Sequence, residues 1–151
     1  MLFRADGTGF ALGRSRFFDG SEGHFEQTAK IFVRIEPAAL GAVVLAQLDT
    51  AAPWLVLNTD VAEMMSLFDG EGPEVTLSTR RGTVTGRLEQ TMVSILADEG
   101  DSLEFPATVF ASRDWTGGTF LGYSGFLERI RFAVDPQENF FYFGPAQTGD
   151  A

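Results

Sequence analysis

In this chain of 151 residues the side chain whose surroundings best suit chemistry is Asp49. It lies between the apolar runs Val43 to Leu48 and Trp54 to Leu57, so the backbone on both sides heads into a core. An unpaired carboxylate is costly to bury and is almost never found there without a partner. The chemistry open to such a group is proton transfer. Ionised, it takes a proton from a water, while a second, protonated carboxylate polarises the bond under attack. One carboxylate cannot play both parts. Asp49, Thr50 and Pro53 also suit a plain turn between two strands, and this stretch alone leaves both readings open.

Other chemistries have little to build on. The chain has no cysteine, which removes disulfides, thiolate nucleophiles and Cys-ligated metal together. Its single histidine, His24, falls in a polar Gly-rich segment and reads as a surface residue, so neither a His-based metal cage nor a Ser-His-Asp triad is expected. Gly7, Gly9 and Gly13 have the wrong spacing for a dinucleotide loop and no strand before them. No metal and no cofactor is therefore expected. With 21 acidic and 11 basic residues the net charge is −10, which repels polyphosphate and argues against nucleic acid as a partner. The first residues lack the basic-then-apolar order of a signal peptide, and the apolar window from Ala38 to Leu57 carries Gln47 and Asp49 near its middle. The expectation is a soluble, cytoplasmic protein without membrane association.

The elements that must position Asp49 are mostly strands, in one domain by length. Residues 1–24 hold five glycines and scattered aromatics, a composition that sustains no helix and reads as an arm. From Lys30 the pattern has period two, with Ile31, Val33 and Ile35 on one face. Pro37 to Gly41 makes a turn, and Ala42 to Leu48 reads as a strand buried on both faces that delivers Asp49 at its end. A helix follows, with Asp60 and Glu63 as a capping box, Val61, Met64, Met65 and Phe68 as its apolar stripe and Gly70 as its stop. Both methionines read as core filler.

Glu74 to Leu88 reads as a hairpin turning at Arg80-Arg81-Gly82. Strands Leu88 to Leu96 and Ser102 to Ala111 are joined by the acidic turn Asp98 to Asp101, read as a solvated tip because calcium-loop spacing is missing. Gly117-Gly118 leads to Thr119-Phe120-Leu121-Gly122, a short helical patch from Tyr123 to Arg129, an alternating strand through Ile130, Phe132 and Val134, a turn, and a last strand Phe140 to Phe143. Many short strands with frequent turns predict an all-β barrel or sandwich with one or two short helices.

That order of elements resembles the retropepsin-like, single-domain aspartic peptidases over roughly Phe25 to Gly144. Asp49-Thr50-Ala51-Ala52 matches three of the four residues in the family's Asp-(Thr/Ser)-Gly-Ala signature, and Phe120-Leu121-Gly122 matches its hydrophobic-hydrophobic-Gly motif about 70 residues on. Tyr123 to Arg129 looks like the family's short C-terminal helix. The resemblance implies a closed, barrel-like acid-protease half-fold over residues 25–144, between the arm and a tail at 145–151. It implies an aspartic endopeptidase acting on peptide or protein. Asp49 is then the catalytic residue and Thr50 braces the two active loops. Ala51, Ala52, Arg80, Arg81 and Gly82 fall on the substrate, the last three in a flap. Phe120, Leu121 and Gly122 support the active loop, Gly122 by leaving room for it. The paired arginines at the flap suit either an acidic stretch of substrate or a solvated hairpin tip.

Two features qualify the resemblance. A second copy of the motif is missing, since Asp101-Ser102-Leu103 lacks the small residues, so the second carboxylate has to come from a twofold homodimer that sets Asp49 opposite its own mate. Ala51 stands where the family has Gly, a residue used where backbone takes unusual dihedrals or approaches a ligand closely. A catalytically silent peptide-binding relative, or an unrelated small β-barrel interaction module with Asp49 as a turn residue, are the alternatives.

Overall fold

The computed structural model describes residues 2–18 and 31–146, and His24 lies outside them. Eleven strands and one short helix follow in the order β1 (Gly13–Arg16), β2 (Phe32–Pro37), β3 (Val44–Leu48), β4 (Leu55–Val56), α1 (Thr59–Met64), β5 (Glu74–Thr79), β6 (Gly82–Ile95), β7 (Glu99–Gly100), β8 (Leu103–Ala111), β9 (Thr119–Leu121), β10 (Ile130–Asp135) and β11 (Phe140–Pro145). The larger sheet runs β2-β3-β9-β4-β8-β6-β5, and a further pairing of β2 with β6 closes the first six of these into a barrel. The class is all-β, as the strand patterning predicts.

Closure depends on the length of β6. Its 14 residues contain no proline, and of its two glycines Gly82 starts the strand at the turn while Gly86 faces Val75 of β5. The first part of β6 pairs with β5 in a hairpin, Arg87 to Ile95 pair with β8, and the last three residues reach β2. The two strands expected from Thr83 and from Leu88 are therefore one. Strand β5 stays outside the barrel as its appended edge.

A second sheet, β10-β11-β1-β7, packs beside the barrel. Its β1 comes from the Gly-rich segment and pairs Gly13 to Arg16 with Phe143 to Phe140 on one side and Gly13 and Arg14 with Gly100 and Glu99 on the other. Backbone hydrogen bonds make that strand, so its side chains leave little trace in the sequence. A Cβ on Gly13 would overlap the Asp101 carbonyl, which fixes glycine there. The acidic turn is exposed, as a solvated tip should be, and it is also tied to neighbouring strands. Asp98 pairs with Arg34 and accepts the Arg16 amide at 2.7 Å, while Glu99 accepts Arg14 Nε at 2.7 Å. Arg14 also lies over the Phe140 ring, 4.0 Å from its centroid.

The main core fills the barrel and the space under the second sheet. Val33, Ile35, Ala46, Leu121, Phe126, Phe141 and Phe143 are wholly buried in it. Burying one such Leu or Phe side chain is worth roughly 1.5–3 kcal/mol. A smaller cluster of Val56, Leu77 and Phe110 sits apart, under the β5–β6 hairpin.

Four local expectations give way to packing. Strand β3 buries Ala46 fully, but Val43 and Leu45 are 53% and 50% exposed, so the run is not buried on both faces. The helix is capped by Asn58 rather than Asp60: Asn58 Oδ1 accepts the amides of Asp60 at 2.9 Å and Val61 at 3.4 Å. Met65 is buried while Met64 is 64% exposed, because six residues give α1 less than two turns to point inward. The patch from Tyr123 to Arg129 is a turn followed by one 3-10 turn, Leu127–Arg129, not a regular helix.

Candidate active site

The Asp49 loop owes its position to strand order. Strand β9 lies between β3 and β4, parallel to β3 with Leu48 opposite Leu121, so the chain from β3 to β4 must cross the end of β9. The crossing is stitched by main-chain bonds. Asp49 N–H donates to Leu121 O at 3.0 Å, Tyr123 N–H to Ala52 O at 2.8 Å and Ser124 N–H to Pro53 O at 2.7 Å. Ala52 N–H closes a turn onto Asp49 O at 3.1 Å. Each such bond contributes about 0.5–1.5 kcal/mol net, and together they hold one loop geometry.

Gly122 is where the two segments touch. A Cβ there would overlap the carbonyls of Trp54 and Ala52, so only glycine lets the loop pass. Leu121 beside it is wholly buried and anchors β9 in the main core. Phe120, on the other face, is partly buried and points to the cleft.

The Asp49 carboxylate is half-buried and accepts the Ala51 amide at Oδ1, 3.0 Å away. Ala51 is exposed and is not among the non-glycine residues of positive φ, which in the described chain are Ser66 and Asn139. The methyl group at this position therefore brings no left-handed backbone strain.

Asp49 opens into a cleft of about 690 Å³. Its floor is Asp49, Ala51, Ala52 and Pro53, and its roof is Leu77, Ser78, Thr79 and Arg80 of the β5–β6 hairpin. Gln47, Val56, Trp115 and Phe120 form the walls. The sequence singled out Asp49, Ala51, Ala52, Arg80 and Phe120 among these. Thr50, Arg81, Gly82, Leu121 and Gly122 do not line the cleft: Thr50 is exposed beside it, Arg81 and Gly82 lie at the hairpin tip, and Leu121 and Gly122 are buried beneath the loop.

Of the lining residues that sequence reasoning missed, Trp115 has the largest side chain. It comes from the loop after β8, which α1 and the hairpin hold in place. Thr59 Oγ1 donates to carbonyls of Ser112 and Trp115, Asn58 Nδ2 donates to Gly117 O at 3.2 Å, and Ser112 Oγ donates to Thr85 O at 2.6 Å. The indole Nε1 donates to Gly118 O at 2.9 Å, and its ring meets Phe120 edge-on at 5.9 Å. A tryptophan with glycines two and three residues later, tied back on itself, was the available signal.

Among the described residues Asp49 is the one carboxylate lining the cleft, and no group of three or more His, Asp or Glu side chains is placed to hold a metal. No helix there is long and apolar enough to cross a membrane.

A crystal structure of a retropepsin-like aspartic protease from Rickettsia conorii superposes on 87% of this chain and 89% of its own with a TM-score of 0.60, at 14% identity. The chain has the retropepsin-like fold. The retroviral protease-like domain of Ddi1 from Leishmania major also matches, over 77% of this chain and 94% of its own, with a TM-score of 0.47 and 21% identity. No family model and no curated protein sequence matches the chain. With the retropepsin-like fold in place, a barrel of different topology is set aside.

Proposed function

We propose that the protein is a homodimeric aspartic endopeptidase in which Asp49 and its twofold mate share one proton across a water. The supporting observation is that the cleft, among described residues, offers one carboxylate, on a rigid loop whose neighbours Thr50, Ala51 and Pro53 face solvent. A half-site of this kind is completed by a second copy of itself, because a twofold axis presents the same patch to both partners.

In the dimer two like charges at contact distance repel, so one carboxyl group is ionised while the other keeps its proton. The ionised member takes a proton from the water, whose oxygen attacks the peptide carbonyl carbon. The protonated member donates its hydrogen bond to the developing oxyanion, and the proton taken from water goes to the leaving nitrogen as the C–N bond breaks. Leu77 to Arg80 of the hairpin cover the cleft and exclude bulk water.

The test is cleavage of a mixed peptide library by the native protein and by Asp49→Asn, between about pH 4 and 7, where a carboxylate pair can hold a single proton. Cleavage by the native protein alone is expected, with dimers present in the same sample. Silence from a confirmed native dimer would overturn the proposal and leave a peptide-binding relative.

A further inference from the structure

We propose that Arg80 selects an acidic side chain in the bound peptide, next to an apolar side chain seated against Trp115 and Phe120. The inference rests on the reading of the cleft as a peptide site and adds the class of peptide. Among the described residues two charged side chains line the cleft, Asp49 on the floor and Arg80 on the roof. They do not pair. The ion pairs among the described residues are Arg14 with Glu99, Arg34 with Asp98 and Arg113 with Glu63. The Arg80 side chain makes no hydrogen bond there either, so its fork of donors is available to a ligand, and a carboxylate matches that fork two bonds at a time.

The hairpin tip fixes where the guanidinium starts. Thr79 Oγ1 donates to Gly82 O at 2.7 Å and accepts the Arg81 amide at 3.1 Å, and Gly82 takes φ +117°. Those bonds make one turn geometry, in which Arg80 lines the cleft and Arg81 does not. The paired arginines thus separate into one that faces substrate and one on the outside of the flap. The wall of the same cleft has an apolar part, where Trp115 and Phe120 meet edge to face. An extended peptide alternates its side chains, so a carboxylate and a large apolar group at neighbouring subsites meet both surfaces.

The charge of the whole chain works against such a ligand. At −10 it disfavours acidic peptides and attracts basic ones. A preference for Glu must therefore come from the local cation, and it cannot be mimicked by general electrostatic attraction.

The experiment uses the Asp49→Asn protein, which holds peptide without turnover, and fluorescently labelled peptides of about ten residues, long enough to span an extended cleft. Each has a central Phe and either Glu or Gln scanned through the flanking positions. At one register the Glu peptide is expected to bind about tenfold tighter than its Gln twin, with the gap closing at about 0.5 M salt. Adding Arg80→Glu is expected to abolish that gap and to make the matching Lys peptide the tighter ligand. Equal binding of Glu and Gln peptides at every register, or a Glu preference that survives Arg80→Glu, would overturn the proposal. Failure of the native protein to cleave, with the Glu preference intact, would count against catalysis and leave Arg80 as the selector. Binding of no peptide at all would sink both readings.

Discussion

The floor and the roof of the cleft are built on different footings. The floor loop is tied by main-chain bonds to the residues after β9, and Leu121 beneath it belongs to the main core. The roof is a two-stranded hairpin whose buried support is the small cluster of Leu77, Val56 and Phe110, and whose tip at Arg80, Arg81 and Gly82 is exposed. A two-stranded hairpin gains little stability by itself. The contrast suits a site that must hold a carboxylate to within a fraction of an ångström and still admit a chain. On the proposed reading immobility belongs to the floor and opening to the roof, the half with the smaller buried cluster.

Cutting the two supports equally should break the two halves unequally. Leu121→Ala removes a wholly buried side chain from the main core, and a loss toward the upper end of the ~2–5 kcal/mol typical of such changes is expected in urea unfolding. Leu77→Ala, in the three-residue cluster, is expected near the lower end, with the larger consequence appearing as faster hydrogen exchange in the hairpin. Similar unfolding costs at both sites would remove the contrast.

Gly122→Ala sharpens the same point from the floor. The added methyl overlaps the carbonyls of Trp54 and Ala52, which are backbone and cannot swing away, so about 1–3 kcal/mol of stability should go. Peptide cleavage should fall with it, because the displaced segment carries Asp49. Unchanged activity in this variant would mean that the loop tolerates movement.

The sequence carried much of the floor and little of the walls. Val33 and Ile35 announce β2 by period two, and the apolar run ending at Asp49 announces β3, because strands that bury one face must alternate or run apolar. Hydrophobic patterning cannot say that β9 inserts between β3 and β4, and that insertion is what brings Gly122 under the loop and Trp115 into the cleft. Strand β1 was illegible for another reason, since Gly13 to Arg16 are held through backbone bonds to β11 and β7. The capping residue was missed because Asp60 with Glu63 fits a capping box, while the cap falls two residues earlier at Asn58, which is also bound to the Trp115 loop.

That double use of Asn58 yields the smallest expected effect. Asn58→Ala should cost about 1 kcal/mol through the lost cap, read as a shift in the urea midpoint. It should also blue- or red-shift the Trp115 fluorescence, since the loop loses the bond to Gly117 O. A midpoint shift with unchanged emission would show that the wall is held without it.

The central claim, that the reacting pair is made by two chains, is tested most directly by mixing native and Asp49→Asn subunits in equal amounts and letting them exchange to equilibrium. If each active unit needs both Asp49 carboxylates, random pairing leaves about one quarter of the dimers active, and activity should follow the square of the native fraction. A straight-line dependence, with about half the activity remaining at equal mixing, would show that one chain acts alone and would contradict the account.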